Sequence, residues 1–207
     1  MNLIIFVVFA AVVNAEMSTT EVETKFAENE ITADLKLPKG PSKLLEITYP
    51  SGATVNLGNE LTPTQVKDIP FLKWETTDDA LYTVLMTDPD APSRANATFR
   101  EVRHWLVVNI PQNDVKDGDH LFEFIGSGPP QGTGLHRYVF LVFRQPARID
   151  VTNIKRTRNC SRENRLSSSA KSFIDEHQLG DPLFGNFYQA QYDDYVPELH
   201  KQLAGCN

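Results

Sequence analysis

Two segments of the chain concentrate side chains that can bind an anion. The first, residues 87–94, reads Thr-Asp-Pro-Asp-Ala-Pro-Ser-Arg and is followed by His104, whereas the second, residues 126–138, reads Gly-Ser-Gly-Pro-Pro-Gln-Gly-Thr-Gly-Leu-His-Arg-Tyr. The imidazoles of His104 and His136 can donate hydrogen bonds and can carry a proton near neutral pH. The glycines allow backbone amides to approach a ligand closely. These residue types predict a small receptor for an oxyanion or a phosphate group.

The same residues also have structural interpretations, and the residues alone leave both open. Asp88 could orient or charge a histidine, and Tyr138 adds a hydroxyl group. Yet Asp88 and Asp90, on either side of Pro89, are typical turn formers, a single histidine on a strand is more often structural, and the glycines could serve only a tight loop. The prolines stiffen both segments in either case, so little conformational entropy is lost on binding.

Sequence motifs of common hydrolases are absent. The chain has no His-Glu-x-x-His pair, no Cys-x-x-Cys pair and no Gly-x-Ser-x-Gly elbow. Asp88, His104 and His136 are far apart in sequence and could still gather around zinc, but the same three side chains serve anion binding equally well. We therefore predict a protein without enzymatic activity, metal or cofactor.

Each of the two segments adjoins a run of residues that favours a β-strand. Residues 81–86, 105–110 and 137–143 are rich in β-branched and aromatic residues and are apolar on both alternating faces, which predicts central strands of a two-layer structure. Residues 44–49 and 53–57, separated by the turn signal Pro-Ser-Gly, predict a hairpin or neighbouring strands. The two tryptophans are expected in the core.

Helical signals come late in the chain. The serines at 167–169 offer N-cap oxygens to a helix over 170–178, which the sequence Gly-Asp-Pro at 180–182 ends. A second short helix is predicted from Pro197, with Leu199 and Leu203 on one face. The elements therefore predict a mostly β architecture with small helices at one end.

The N-terminal residues predict export. Residues 1–15 carry no charge and include an apolar run over 3–13, which is too short to span a bilayer because that takes about 20 apolar residues. Val13, Asn14 and Ala15 close this segment, and Ala15 is a small residue at the position where signal peptidase would cut. We predict a cleaved signal peptide over 1–15 and a single domain over 16–207 that does not span a membrane. The alternative is an uncleaved membrane anchor.

Two further features agree with a secreted, extracellular protein. Asn96-Ala97-Thr98 and Asn159-Cys160-Ser161 are acceptor sequons for N-glycosylation in polar, turn-like sequence. Cys160 and Cys206 are the two cysteines of the chain, an even number that allows one disulfide, with two free thiols as the alternative.

The charge of the chain argues against nucleic acid as its main partner. The net charge is -7 at pH 7, and the basic residues do not cluster beyond the scattered Lys-Arg-Thr-Arg at 155–158. An anion bound by such a chain has to be met by a local site.

Residues 88–94 and 126–138 resemble the two signature segments of the phosphatidylethanolamine-binding proteins. Residues 61–67 and 188–197 are similar to further stretches of animal members, so the likeness runs from about residue 24 to 203. The resemblance implies an antiparallel two-sheet β sandwich with short C-terminal helices and a pocket for phosphate, acetate or a phospholipid head group. It implies a pocket lined by Asp88, Pro92, His104, Gly128, Pro130, His136 and Tyr138.

Three positions depart from the family pattern. Phe99 and Val102 stand where animal members usually carry Tyr and Trp, so the pocket is expected to be wider and less polar on that side. His200 stands where the C-terminal helix usually offers a Tyr, which would place a third imidazole near the mouth. Three histidines predict that anion binding strengthens as the pH falls.

The resemblance and the residues together predict a monomeric secreted binding protein. Its predicted ligand is a phosphate-type anion or a phospholipid head group such as phosphoethanolamine, through which it would act in ligand binding or in modulating signalling. Family members are also linked to inhibition of kinases or serine proteases, so the alternative is an extracellular serine protease inhibitor or protein-interaction module. A metal-dependent hydrolase is the least favoured alternative.

Overall fold

The computed structural model describes residues 19–206 of the chain. The predicted signal peptide and the alternative of an N-terminal anchor concern residues that lie outside this part. Among the described residues, no helix combines the length and the apolar character that crossing a membrane requires.

Most of the regular structure is β. The strands are β1 (Lys43–Leu44), β2 (Glu46–Thr48), β3 (Phe71–Lys73), β4 (Leu81–Asp88), β5 (Val102–Pro111), β6 (Asp119–Phe122), β7 (His136–Arg144) and β8 (Phe184–Ala190). The helices are α1 (Thr19–Glu28), α2 (Ile31–Asp34), α3 (Ala170–Glu176) and α4 (Val196–Gln202), with a 3₁₀ turn at Val115–Asp117. The prediction of a mostly β chain with a few helices is confirmed.

The sheets differ from the expected sandwich of two antiparallel sheets. Six strands form one mixed sheet in the order β1-β8-β7-β4-β5-β6, in which β1 runs parallel to β8 and the other pairs are antiparallel. The second sheet has only the antiparallel strands β2 and β3. Part of the large sheet packs against helices instead of a second sheet, because apolar residues of α1, α2 and α3 join the cluster that contains Leu85.

The three predicted central strands lie in the middle of the large sheet because both of its faces are buried. Along β4, Val84 and Met86 join one apolar cluster with residues of β2, Tyr49 and Trp74. Leu85 between them joins a second cluster, which includes apolar residues of α1, α2 and α3. A strand covered on both faces reads as a continuous apolar run, which is the pattern that predicted it.

The predicted hairpin over 44–57 forms only in part. Tyr49 N–H donates to the Ala53 carbonyl at 2.8 Å and Val55 N–H donates to Ile47 at 3.1 Å, so the turn is present. The second arm, however, is limited to one bridge between Thr48 and Thr54, and β2 pairs instead with β3. The single strand expected over 44–49 is divided between the two sheets.

The two late helices form where the sequence predicts them. The α3 helix ends at Glu176, two residues before the predicted end, and the hydroxyl of Ser169 accepts a hydrogen bond from Ser172 N–H at 3.1 Å. The α4 helix begins at Val196, with Pro197 in its first turn and Leu199 buried.

Replacing Ser169 with Ala is expected to lower the free energy of unfolding by about 1 kcal/mol, because it removes the side-chain cap of α3. Chemical denaturation measures this loss. Ser172→Ala is the matched control, because its hydroxyl is exposed and has no described hydrogen bond. Equal losses in the two variants would contradict the capping role.

Candidate ligand-binding pocket

A cavity of about 250 Å³ opens where β4 ends and where β5 and β7 begin. Antiparallel pairing places Thr87 opposite both Arg103 and Val139, so these three strand ends meet at one edge of the sheet. The cavity is lined by all eight residues that the sequence singled out: Asp88, Pro92, His104, Gly128, Pro130, His136, Tyr138 and His200.

Asp88 and His136 form the polar centre of the cavity floor. His136 Nδ1 donates to Asp88 Oδ2 at 2.9 Å, and both side chains are buried. The Thr133 hydroxyl donates to the Pro130 carbonyl at 2.7 Å, so it accepts from His136 Nε2 at 3.0 Å. Because both ring nitrogens then act as donors, this geometry favours the imidazolium form of His136.

The electrostatic surroundings of His136 act in the same direction. Burial alone would lower the pKa of His136, but the hydrogen bond and charge of Asp88, with the charge of Asp90, outweigh burial and raise that pKa above its ordinary value of 6.5. His136 therefore keeps a positive charge to higher pH than a free imidazole does.

His104 has the opposite character. Its Nδ1 lies 3.1 Å from both the Ile125 and the Gly126 carbonyl oxygens, which can only accept, so Nδ1 carries the proton. Burial lowers the pKa of His104 to about 4, which leaves the ring neutral near pH 7. His104 therefore cannot contribute to the pH dependence that the sequence predicted for all three histidines. Its Nε2 has no hydrogen-bond partner among residues 19–206 and presents a lone pair.

Tyr138 holds the two histidines in place with its ring. The His104 ring meets it edge-on at 5.1 Å and the His136 ring lies parallel to it at 6.5 Å. Tyr188 stacks beneath Tyr138 at 5.1 Å. Burial raises the pKa of Tyr138 well above its ordinary value, so its hydroxyl stays neutral.

A buried ion-pair network supports the floor from behind. Asp90 and Arg137, the neighbours of Asp88 and His136, are both 0% exposed at their side chains. Asp90 Oδ2 accepts from Arg137 N–H and Nε at 2.8 Å, and Asp90 Oδ1 accepts from Nη2 at 2.5 Å. Asp34 of α2 binds Arg137 Nη2 at 2.5 Å. These bonds connect the loop after β4 to the first residues of β7.

The sequence predicted that the glycines of residues 126–138 let backbone amides approach a ligand, but three of them have other roles. A Cβ at Gly128 would lie 2.9 Å from Leu199 Cδ2, so this glycine lets α4 approach the cavity. His200 Nε2 donates to the Gly128 carbonyl at 3.1 Å. Gly132 and Gly134 do not line the cavity, and they have φ values of +81° and +77°, which make them turn residues.

The remaining lining residues were not predicted as site residues, although Phe99 and Val102 were expected to lie beside the pocket and to make that side wider and less polar. They are mostly apolar: Ala91, Phe99, Val102, Ile125, Arg162, Arg165, Leu166, Leu199 and Leu203. Phe99 and Leu166 are 47% and 48% exposed, which places two large apolar side chains at the mouth.

Arg165 is buried, and no carboxylate of residues 19–206 forms an ion pair with it. Its guanidinium donates to five backbone carbonyl oxygens, those of Ser161, Arg103, His104, Glu123 and Arg158, at 2.8–3.2 Å. Burial lowers the pKa of Arg165 to about 10, so the side chain is still charged at pH 7. No local pattern in the sequence marks this residue, because its partners come from distant segments.

A disulfide joins Cys160 to Cys206 across 46 residues. Cys206 N–H also donates to the Cys160 carbonyl at 3.2 Å, and Gln202 Nε2 donates to the Asn159 carbonyl at 2.9 Å. The bridge therefore ties the end of α4 to the loop that carries Arg162, Arg165 and Leu166. The sequon residues Asn96 and Asn159 are both exposed.

No group of three or more His, Cys, Asp or Glu side chains is placed to hold a metal ion within residues 19–206. Asp88, His104 and His136 line the same cavity, but Asp88 binds His136 and the Asp90 N–H, His136 also binds Thr133, and His104 binds backbone carbonyls.

The sequence and the fold of this chain are similar to those of known proteins. The sequence profile of the phosphatidylethanolamine-binding proteins matches residues 51–189 of the chain, which is more than half of its 207 residues. The chain belongs to the phosphatidylethanolamine-binding protein family. It is 33% identical over 204 residues to "Putative odorant-binding protein A5" of Drosophila melanogaster, covering 99% of this chain and 96% of the relative.

Solved structures of other proteins share the fold. The structure titled "Crystal structure of carboxypeptidase Y inhibitor complexed with the cognate proteinase" matches with a TM-score of 0.71 at 25% identity, covering 87% of this chain and 98% of that one. The phosphatidylethanolamine-binding protein from Plasmodium vivax matches with a TM-score of 0.69 at 23% identity, covering 83% and 98%. The second likeness concerns the fold alone. The relatives are named as binding or inhibitor proteins.

Proposed function

We propose that this family member is a secreted protein that binds a phosphate-type anion or a phospholipid head group, such as phosphoethanolamine, without catalysing a reaction. The observation that carries this proposal is the convergence of all eight site residues, from separate segments of the chain, on one cavity. Ligand binding by such a site would serve transport or signalling.

The charges around the cavity support an anionic ligand. Protonated His136, Arg162 and Arg165 line it together with a single carboxylate, that of Asp88. Within residues 19–206, the Arg162 side chain has no described partner, which leaves its charge available at the mouth. This local excess of positive charge occurs in a chain with a net charge of -7.

Export to an oxidising compartment is the proposed setting of this binding. We propose that residues 1–15 are a cleaved signal peptide, that 16–207 form one monomeric domain, and that Asn96 and Asn159 carry glycans. The disulfide between Cys160 and Cys206 and the exposure of both sequons support this setting. Intact mass of the protein secreted from animal cells, before and after enzymatic deglycosylation, tests the cleavage and the glycans, and size-exclusion chromatography with light scattering tests the monomeric state.

Calorimetric titration with inorganic phosphate and phosphoethanolamine is expected to show saturable binding that His136→Ala and His104→Ala abolish. The first variant removes the charged imidazole at the cavity floor. The second removes the neutral imidazole of His104, which lines the same cavity. His177→Ala is the matched control, because His177 packs on Phe173 away from the cavity and should leave binding unchanged. A well-folded wild type that binds neither ligand would refute the proposal.

The affinity for sulfate, which does not titrate between pH 5 and 9, is expected to be nearly constant at low pH and to fall as the pH rises. The pKa of His136 is raised, so its positive charge is lost only as the pH rises through a value above 6.5. The expected loss is roughly tenfold, the effect of one charge several ångströms away in a protein. His136→Gln should bind weakly at every pH, and a wild-type affinity that is flat up to pH 9 would contradict the assignment.

A second candidate function is protease inhibition. It is favoured by the likeness, over 87% of this chain, to a structure of an inhibitor in complex with its proteinase. Assays of carboxypeptidase Y and of extracellular serine proteases with the purified protein test it. Inhibition that persists in His136→Ala would indicate a surface separate from the cavity, and no inhibition at micromolar concentrations would leave only ligand binding.

A further inference from the structure

The apolar part of the cavity exceeds what a phosphate group alone requires. Seven apolar side chains line it, on the loop after β4, on β5, on the segments around 125 and 166, and on α4 and its C-cap: Ala91, Phe99, Val102, Ile125, Leu166, Leu199 and Leu203. A phosphate ion bound to the polar floor gains nothing from these groups. Their arrangement fits a ligand with an apolar part.

The mouth shows the same preference. Phe99 and Leu166, 47% and 48% exposed, are two of the five large apolar side chains that are most exposed in the described part of the chain. Both line this one cavity. Leaving large apolar groups in water is unfavourable, and their pairing at a cavity mouth is typical of a surface that a ligand covers.

The polar floor sets a requirement on the head of that ligand. Two of its histidines already have hydrogen-bond partners in the protein: His136 uses both ring nitrogens, and His200 Nε2 binds the Gly128 carbonyl. His104 differs, because its Nδ1–H is given to two carbonyl oxygens and its Nε2 lone pair is unused in the described part of the chain. A lone pair is matched by a ligand that donates a hydrogen bond.

We propose that the cavity takes a small single-chain amphiphile, whose O–H group donates to His104 Nε2 and whose short apolar chain packs against Phe99 and Leu166. This inference rests on the proposed function in that it concerns the same cavity. The O–H can belong to an alcohol or to the monoanion of an alkyl phosphate, and both heads offer the same donor.

A chain-length series tests the apolar half of the proposal. Inorganic phosphate and ethyl, butyl and hexyl phosphate are titrated into the full mature protein at one pH. Affinity is expected to rise roughly two- to fourfold for each added methylene group that the wall covers, so hexyl phosphate should bind at least tenfold more tightly than inorganic phosphate. Equal affinities across the series would overturn the proposal.

Two variants at the cavity mouth test where the alkyl chain of the ligand binds. Leu166→Ala and Phe99→Ala should each lower the ratio of the hexyl phosphate affinity to the ethyl phosphate affinity about threefold or more. Phe71→Ala is the matched control, because Phe71 is 71% exposed and does not line the cavity. If the affinity still rises from ethyl to hexyl phosphate as much as in the wild type in both variants, the alkyl chain binds elsewhere and the assignment is refuted.

A pair of neutral ligands tests the donor half without any change in charge. Hexan-1-ol and its methyl ether differ in the O–H group and are compared by competition against hexyl phosphate. The alcohol is expected to bind about five- to tenfold more tightly, in line with the net effect of one hydrogen bond. An ether that binds as tightly as the alcohol would show that His104 Nε2 receives no donor.

The same experiments separate this inference from the proposed function. Saturable binding of inorganic phosphate without a chain-length gain would refute the amphiphile and leave the anion site. Binding of hexanol with a clear preference over its ether, and no binding of phosphate or phosphoethanolamine, would support the amphiphile and refute the anion site.

Discussion

Arg137→Met is expected to lower the free energy of unfolding by roughly 3–5 kcal/mol, because it strands a buried carboxylate. Asp90 has no exposure to solvent, and its two oxygens accept from Nε, Nη2 and the backbone N–H of Arg137, with Arg100 Nη2 more distant at 4.0 Å. Met has a comparable volume, so the loss reports mainly the unpaired charge and not a void. Urea denaturation followed by far-ultraviolet circular dichroism measures the change.

Two comparisons show whether the unpaired charge is the cause. Arg148→Met removes an exposed arginine that pairs with Asp119 at 3.3 Å, and it should change stability by no more than about 0.5 kcal/mol. The double variant Asp90→Asn with Arg137→Met removes the charge as well as its partner, so it should be more stable than Arg137→Met alone. A double variant that is equally unstable would show that packing, not charge, dominates the loss.

The network also explains why the polar floor has a fixed geometry. Asp90 and Arg137 each lie one or two positions from the pair Asp88 and His136, and Asp90 N–H donates to Asp88 Oδ1 at 2.7 Å. The bonds that hold Asp90 to Arg137 therefore hold the carboxylate of Asp88 against the His136 ring. Weakening the network is expected to affect ligand affinity as well as stability.

The cavity floor could be predicted from the sequence because its residues sit at the ends of central strands. Buried strands leave an apolar run that is visible without a structure, and antiparallel pairing then brings the end of β4 beside the starts of β5 and β7. Asp88, His104 and His136 are therefore neighbours in the fold although 48 residues separate the first from the last. The family resemblance pointed to the same residues.

The elements that the sequence did not predict depend on distant partners. Strand β8 contains Asn186, whose side-chain amide donates to the Leu45 and Val55 carbonyls at 2.9 and 3.0 Å, more than 130 residues away. Gly185 in the same strand leaves room for Pro41, which would lie 2.5 Å from a Cβ. In α1, Val22 and Phe26 are buried four residues apart among charged neighbours. Two apolar positions are too few to predict an amphipathic helix from the sequence.

Removing the disulfide is expected to have the second large effect, on stability and on ligand binding together. In the variant C160S/C206S the unfolded chain regains the freedom that a bridge across 46 residues removes, which costs about 4 kcal/mol of stability on the chain-entropy model. Denaturation of the variant and of the wild type under non-reducing conditions measures this difference.

The loss of ligand affinity should exceed what global stability explains, because α4 is weakly held apart from the bridge. Its buried residue Leu199 and its C-cap Leu203 form a small separate cluster with Ile125, whereas the large sheet contributes to the two main cores. Leu199, His200 and Leu203 nevertheless form one wall of the cavity. Release of α4 would therefore open the cavity while the sheet remains folded.

Gly128→Ala separates the position of α4 from the presence of the bridge. The added Cβ would approach Leu199 to 2.9 Å and push α4 outward while Cys160 and Cys206 stay bonded. If the wall matters, both Gly128→Ala and C160S/C206S should bind hexyl phosphate at least tenfold more weakly at a temperature where circular dichroism shows a folded sheet. If only C160S/C206S loses affinity, the loop at 160–166 and not α4 is the part that the bridge holds in place for the ligand.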